Sequence, residues 1–496
     1  MKPRCSLGHN AMELTDNGYW LTRLIFQRAL GVVYLIAFLC ALNQFRPLLG
    51  ERGILPVPAY VRSTPFRVSP SLFYFMPRDR AFTSAAWLGI LLSCLVIGGI
   101  ATRYNSAVTA AVWAAIWILY ISFVNVGQEF YGFGWESILL EGGFFAAFLG
   151  SDRSAVQPVA LWLIRWLEFR IMFGAGLIKL RGDSCWRDLT CLDYHYQTQP
   201  MPNPLSWYLH WGPLWTHRAG VLFNHFAELV VPFGYFLPQP IASIAGAITI
   251  LFQGTIMASG NLSWLNFLTI VLAIPMIDGK YFAAILPLRT PALGPPHTIH
   301  RVAVIALAAL VVWLSIPPVR NMLSPRQVMN TSFNSIHLVG TYGAFGGITR
   351  TRYEVVVEGT QDSNPSLASW REYEFKGKPN DPKRMPPQIA PYHLRLDWLM
   401  WFAAMGNYYQ SPWFLHFTEK LLEGDAATLS LLRDNPFPNG PPKYVRALLY
   451  KYEFTTPAQH RETGEWWKRQ LEGTWFPAVS LNDADFQRVL ADQGWK

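Results

Sequence analysis

Three ionisable side chains, Arg165, Glu168 and Arg170, fall within six residues of the apolar run LIRWLEFRIMFGAGLIKL (163 to 180). A charge inside a lipid-embedded helix is expensive. Such groups therefore pair with one another, or they mark a proton relay, a substrate pocket or a lipid-headgroup site. Arg165 and Glu168 are three residues apart and share a helix face. Arg170 projects about 200° away from Glu168 and needs a partner on another helix. Candidate partners are Glu136 and Glu141 in WESILLEGG, and Asn224, His225 and Glu228 in FNHFAEL. The plainer reading is a buried ion-pair network that only fixes helix packing. His225 and Glu228 also lie three apart, where a carboxylate can orient an imidazole for acid/base work. No third ligand is placed by spacing, so no metal is expected there.

A second chemistry-bearing stretch is GDSCWRDLTCLDYHYQTQPMPNP (182 to 204), which carries Cys185 and Cys191. The separation is wrong for a thioredoxin-type redox pair. A short staple fits better: closing so small a loop removes about 2.4 kcal/mol of unfolded-chain entropy. Trp186, Arg187, Asp188, Asp193 and His195 make the loop polar and aromatic, suited to packing on an outer domain or a partner. Cys5, Cys40 and Cys94 read as inert thiols in a tail or inside spans. There is no GxSxG elbow, HExxH, CxxC or phosphate-binding glycine loop, which argues against the corresponding hydrolases, metalloenzymes and nucleotide enzymes. No catalytic residue or cofactor is assigned.

The elements that must position these groups are read from apolar periodicity. Of 496 residues, 51% are hydrophobic and 15% charged, the composition of a membrane protein. The net charge of +9 is scattered singly through loops, which argues against a nucleic-acid partner. Windows at 24–44, 82–101, 106–126, 135–150, 158–180, 219–237, 241–258, 262–286 and 301–317 give about nine spans at roughly 20 residues each. The first reads as a retained signal anchor. Lys2, Arg4, Arg103, Arg153, Arg289 and Arg301 favour an N-terminus inside, although the arginine-rich segment 45–81 argues the other way. An odd count then puts the loop 181–218 and the C-terminus outside, where a disulfide persists. Residues 1–319 thus read as a multi-span domain and 320–496 as a soluble α+β domain. Strands are expected in TRYEVVVEGT (351–360), REYEFKG (371–377) and YVRALLYKYEF (444–454), helices in 413–424 and 425–435, and a loop over 377–392.

The chain resembles the lipase maturation factor family. The matching text is LIRWLEFRIMFGAGLIKLRGDSCWRDLTCLDYHYQTQPMPNPLSWYLH (163–210), FNHFAELVVPF (223–233), GNLSWLNFLT (260–269), NSIHLVGTYGAFG (334–346), YEFKGKPNDPKRMPPQIAPYHLRLDWLMWFAA (373–404) and NPFPNGPPKYVRALLYKY (435–452). The resemblance implies a polytopic endoplasmic reticulum protein of animals that assists folding and assembly of secreted homodimeric lipases, with its outer domain facing those clients. It transfers no catalytic residues. The membrane part is also similar to the wider group that includes vitamin K-dependent carboxylase, which sustains an alternative, an intramembrane enzyme acting on a lipid or quinone. The compact chain ends at Lys496 without a retention tetrapeptide, which points to a bacterial inner-membrane relative whose client need not be an animal-type lipase. Membrane lipids and an exported client are the expected partners.

Overall fold

The structure, a computed structural model, describes residues 18–288 and 290–492. Lys2, Arg4, Cys5 and Arg289 lie outside the described residues. Each apolar window holds a helix: α1 (Trp20–Leu49), α2 (Asp79–Ile97), α3 (Ser106–Val126), α4 (Gly134–Ala146), α5 (Pro158–Arg181), α6 (Leu214–Leu229), α7 (Ile241–Ser259), α8 (Leu265–Ala273) and α9 (Thr298–Leu314). Local chemistry sets several of their ends. The Asn105 side chain accepts from the Val108 amide at the start of α3, and Pro158 opens α5, where a missing N–H does no harm.

Five helical stretches are long and apolar enough to cross a bilayer: Trp20–Leu49, Asp79–Ile97, Ser106–Val126, Ile241–Ser259 and Thr298–Leu323. The other windows fall short for visible reasons. Helix α4 has 13 residues, α6 has 16, and α5 is long but charged. The window 262–286 breaks at Pro275 and at the Asp278–Gly279 cap into α8, a 3-10 turn and the short helix Gly279–Ala283. The chain is an integral membrane protein with a multi-helix membrane domain and a C-terminal α+β domain.

The C-terminal domain is built on a four-stranded antiparallel sheet of β1 (Arg352–Thr360), β2 (Arg371–Glu372), β5 (Tyr444–Phe454) and β6 (Trp467–Val479), in the order β2-β1-β5-β6. Its centre is β1 paired with β5, from Arg352 opposite Tyr452 to Thr360 opposite Tyr444. A second, two-stranded sheet joins β3 (Glu374–Phe375) to β4 (Leu432–Asp434). REYEFKG is therefore two short strands in different sheets. The buried Tyr373 sits between them, and its N–H donates to the Val357 carbonyl. The expected helix over 425–435 stops after one turn, Ala426–Leu429, and continues as β4. Two helices pack beneath: α10 (Arg395–Ala403) and α11 (Pro412–Glu423).

The two parts interlock. Arg352, fully buried, donates to the carbonyls of Gln197 and Pro200, each at 3.1 Å, and to that of Gln199, so the first residue of β1 is tied to the loop 181–218. Its charge is matched by Glu354, which also pairs with the buried Lys378. Residues 331–348, which precede the sheet, pack by their contacts against α4 and α5.

Candidate functional site

The polar residues of the membrane domain do not gather into one cluster. They form separate, locally satisfied groups. Arg165 does not pair with Glu168. Its guanidinium donates to the Pro275 carbonyl (3.2 and 3.0 Å), the Tyr235 carbonyl (3.0 Å) and the Tyr19 hydroxyl (3.1 Å). Those two carbonyls belong to 3-10 turns, where helical hydrogen bonding runs out, and orphan carbonyls at a helix end take the place of a carboxylate. Glu168 is fully buried with no hydrogen-bond partner among the described residues.

Arg170 finds its partner on α4, as the depth argument requires. It pairs with Glu141 and donates to the Gly340 carbonyl at 2.7 Å, while the Tyr342 hydroxyl donates to Glu141 at 2.8 Å. Glu136 is held instead by Arg395 of the C-terminal domain at 2.8 Å and by the Tyr120 hydroxyl. Glu228 and Asn224 enclose a lysine missed in the sequence reading: Lys179 donates to Glu228 at 2.6 Å and to Asn224 at 2.8 Å, and Asn224 donates to the second Glu228 oxygen at 3.0 Å. Lys179 is the penultimate residue of the apolar text 163–180, and a lysine there was the available signal. His225 is not oriented by Glu228. It donates from Nε2 to the Trp186 carbonyl at 2.9 Å.

The loop 181–218 is a lid rather than a free appendage. Cys185 and Cys191 are joined, with Cα atoms 4.8 Å apart. The Trp186 indole donates to the Phe345 carbonyl at 2.8 Å, and its ring covers the Lys179 ammonium at 4.9 Å. Asp183 caps the turn before Cys185, and hydrogen bonds from Arg350 hold its carboxyl down at about 2. Asp193 accepts from Arg218 and faces His217. Arg187 donates to the Leu180 carbonyl, and Asp188 points to solvent. Cys40 is buried in α1 and Cys94 is exposed on α2. Replacing Cys185 and Cys191 by serine should lower stability by up to about 2.4 kcal/mol. A thermal melt checks this, together with faster amide exchange over 344–348. Two alkylatable thiols in the unreduced protein would refute the staple.

Beneath the lid lies a cavity of about 560 Å³ between the two parts. Its walls come from the N-terminal end of α4, the C-terminal half of α5, helices α6, α7 and α8, residues 342–347 and α10. Lys179, Glu228, Asn224 and His195 reach it, so the sequence-marked residues of the loop and of α6 converge here, whereas Glu136, Glu141, Arg165 and Glu168 do not line it. His195 is half-buried, and burial, reinforced by the nearby Lys179 ammonium, pushes its imidazole down to about 4. The folded state thus binds this proton less tightly than the unfolded chain. The stability it contributes is present above about pH 6.5 and is lost as pH falls towards 4. Melting temperature should drop over that window and drop less in His195→Gln; parallel curves for the two proteins would contradict the assignment.

Comparison with known proteins follows the same division into two parts. The family described as "Lipase maturation factor transmembrane domain" matches residues 21–284, and "Lipase maturation factor C-terminal domain" matches residues 338–477. Lipase maturation factor 1 of Homo sapiens is 44% identical, over 97% of this chain and 92% of its own length. The Bos taurus protein of that name is 45% identical over 95% and 91%. Lipase maturation factor 2 of Xenopus laevis is 31% identical over 96% and 85%. No solved structure matches. Both domains are therefore matched in order and at nearly full length, and the chain belongs to the lipase maturation factor family.

Proposed function

We propose that this protein is a membrane-bound maturation factor that assists folding and assembly of secreted lipases or related exported enzymes. The observation that carries the reading is the 44% identity to a lipase maturation factor over 97% of the chain, spanning both domains. The interlocked architecture is compatible with it, since Arg352 and Arg395 tie the C-terminal domain to the membrane part. The test is a strain lacking the protein. A secreted lipase should be synthesised but accumulate inactive or aggregated, and the full-length chain should restore its specific activity. Normal lipase together with an altered whole-cell lipid profile would overturn the reading in favour of an intramembrane enzyme.

The proposal includes a topology of about nine spans with the N-terminus inside and the C-terminal domain outside the cytoplasm. The disulfide of the lid supports that orientation, since such bonds persist in oxidising compartments. The inner membrane is the compartment in a bacterium and the endoplasmic reticulum membrane in a eukaryote. Leu367 of the C-terminal domain is 86% exposed, and Arg103 is also exposed. An impermeant thiol reagent applied to intact cells or sealed microsomes should label Leu367→Cys and spare Arg103→Cys. Equal labelling of both would end this topology.

A further inference from the structure

The cavity under the lid lies between the membrane helices and the C-terminal domain. At about 560 Å³ it falls in the range of pockets that enclose a whole small ligand, roughly 300–1,000 Å³. Its walls are chiefly aliphatic and aromatic, with Ile171, Met172 and Ala175 of α5 facing Phe252 and Ile256 of α7 and Trp398 of α10. An apolar ligand with a small polar end suits such a surface.

The polar groups define that end. Lys179 and Glu228 are the only charged residues lining the cavity among the described residues, and they neutralise each other with Asn224 completing the set. No unmatched cation remains to hold a carboxylate or phosphate. What remains is neutral. His195 makes no side-chain hydrogen bond among the described residues, and its depressed basicity keeps the imidazole uncharged, with one nitrogen to donate and one to accept. On the opposite side Asn266 donates to Gln253 at 2.6 Å, and Gln253 donates to the thioether of Met172 at 3.2 Å, a weak acceptor that an ester carbonyl would outcompete. Hydroxyls and ester carbonyls are matched by this set; an anionic head is not.

One exposed edge of the cavity lies on the membrane domain. Thr255 lines the cavity and is exposed on α7, a helix long and apolar enough to cross a bilayer. We propose that the cavity binds an uncharged lipid of the acylglycerol class, admitted past Thr255, with its chain between α5 and α7 and its hydroxyl or ester groups on His195, Gln253 and Asn266. This goes beyond the maturation-factor reading and does not rest on it.

The test uses the full chain in phosphatidylcholine nanodiscs and a monoacylglycerol bearing a diazirine on its chain and an alkyne tag. Illumination should place the label on peptides from α5, α7, α8 or 342–347. Unlabelled monoacylglycerol should compete, and oleate at the same concentration should not. Ile256→Trp, which fills the cavity, and Thr255→Trp, which blocks the exposed entrance without touching the core, should each cut labelling about tenfold, equivalent to about 1.4 kcal/mol of binding. His195→Leu should weaken the monoacylglycerol more than an alkane bearing the same diazirine. Label spread evenly over lipid-facing helices, equal competition by oleate, or full labelling in Thr255→Trp would each overturn the proposal. Competition by an apolar peptide but not by acylglycerol would assign the cavity to a client segment instead.

Discussion

Replacing Arg395 by leucine should destabilise the protein by about 3–5 kcal/mol, the range for breaking a buried ion pair by removing one partner. Arg395 is fully buried, lies 2.8 Å from Glu136 on α4, donates to the Phe130 carbonyl at 2.7 Å, and stacks on the Tyr131 ring at 3.4 Å. Its own amide donates to Gln44 of α1 at 3.0 Å. One residue thus joins the first helix of the C-terminal domain to three elements of the membrane domain. Removing the guanidinium leaves the Glu136 carboxylate without a cation, beside the Tyr120 hydroxyl and the His393 imidazole 4.0 Å away. Nearby His393 is a poor substitute, because burial, the main cause of its lowered basicity, remains when Arg395 is removed. The expected result is a lower melting temperature with faster amide exchange in both 128–136 and 393–403. Arg395→Lys should rescue poorly, since an ammonium cannot stack flat on Tyr131 while reaching both acceptors. Adding Glu136→Gln should recover part of the loss. A melting temperature unchanged in Arg395→Leu would show that the pair does not hold the domains together.

Much of this architecture was legible from local pattern, and the rest was hidden by distance along the chain. Each of the nine apolar windows contains a helix because an apolar run in lipid has to satisfy its backbone N–H and C=O groups within itself. The alternation in the text of β1 and β5 was readable, although in β1 every residue but Tyr353 is buried. Strand β6 did not: Trp475 and Phe476 are buried side by side where register shifts interrupt its pairing with β5, so its apolar residues lose their period of two. At the site, the disulfide was readable because its cysteines lie six residues apart. The need for a carboxylate opposite Arg170 was equally readable from depth in the membrane. The partners of Glu136 and Arg165 were not. One pairs with a residue 259 positions away and the other with carbonyls exposed by helix breaks, and neither leaves a spacing signal. The cavity likewise needs many separated segments to close, and no single segment announces it.

Arg170→Leu should cost about 3–5 kcal/mol on its own, and so should Glu141→Leu, because each leaves the opposite charge buried and unpaired. Both side chains of the pair are at most 1% exposed. Changing both residues together should cost far less than the sum. The remainder comes from the Tyr342 hydroxyl and the Gly340 carbonyl, which lose their partners at about 1–3 kcal/mol per unsatisfied group. Tyr342→Phe alone should therefore fall between wild type and the single charge variants. The other carboxylates supply the control. Glu136 is held by Arg395 and Glu228 by Lys179, so Glu136→Gln or Glu228→Gln combined with Arg170→Leu should add without coupling. A strong coupling confined to Glu141 identifies the pair as the element that fastens residues 340–342, and with them the floor of the cavity, to α4 and α5. Additive losses with Glu141 as well would mean that Arg170 is held by the Gly340 carbonyl and its aromatic neighbours, Trp166 and Tyr342 at 5.7 Å, and that the carboxylate at this depth serves another purpose.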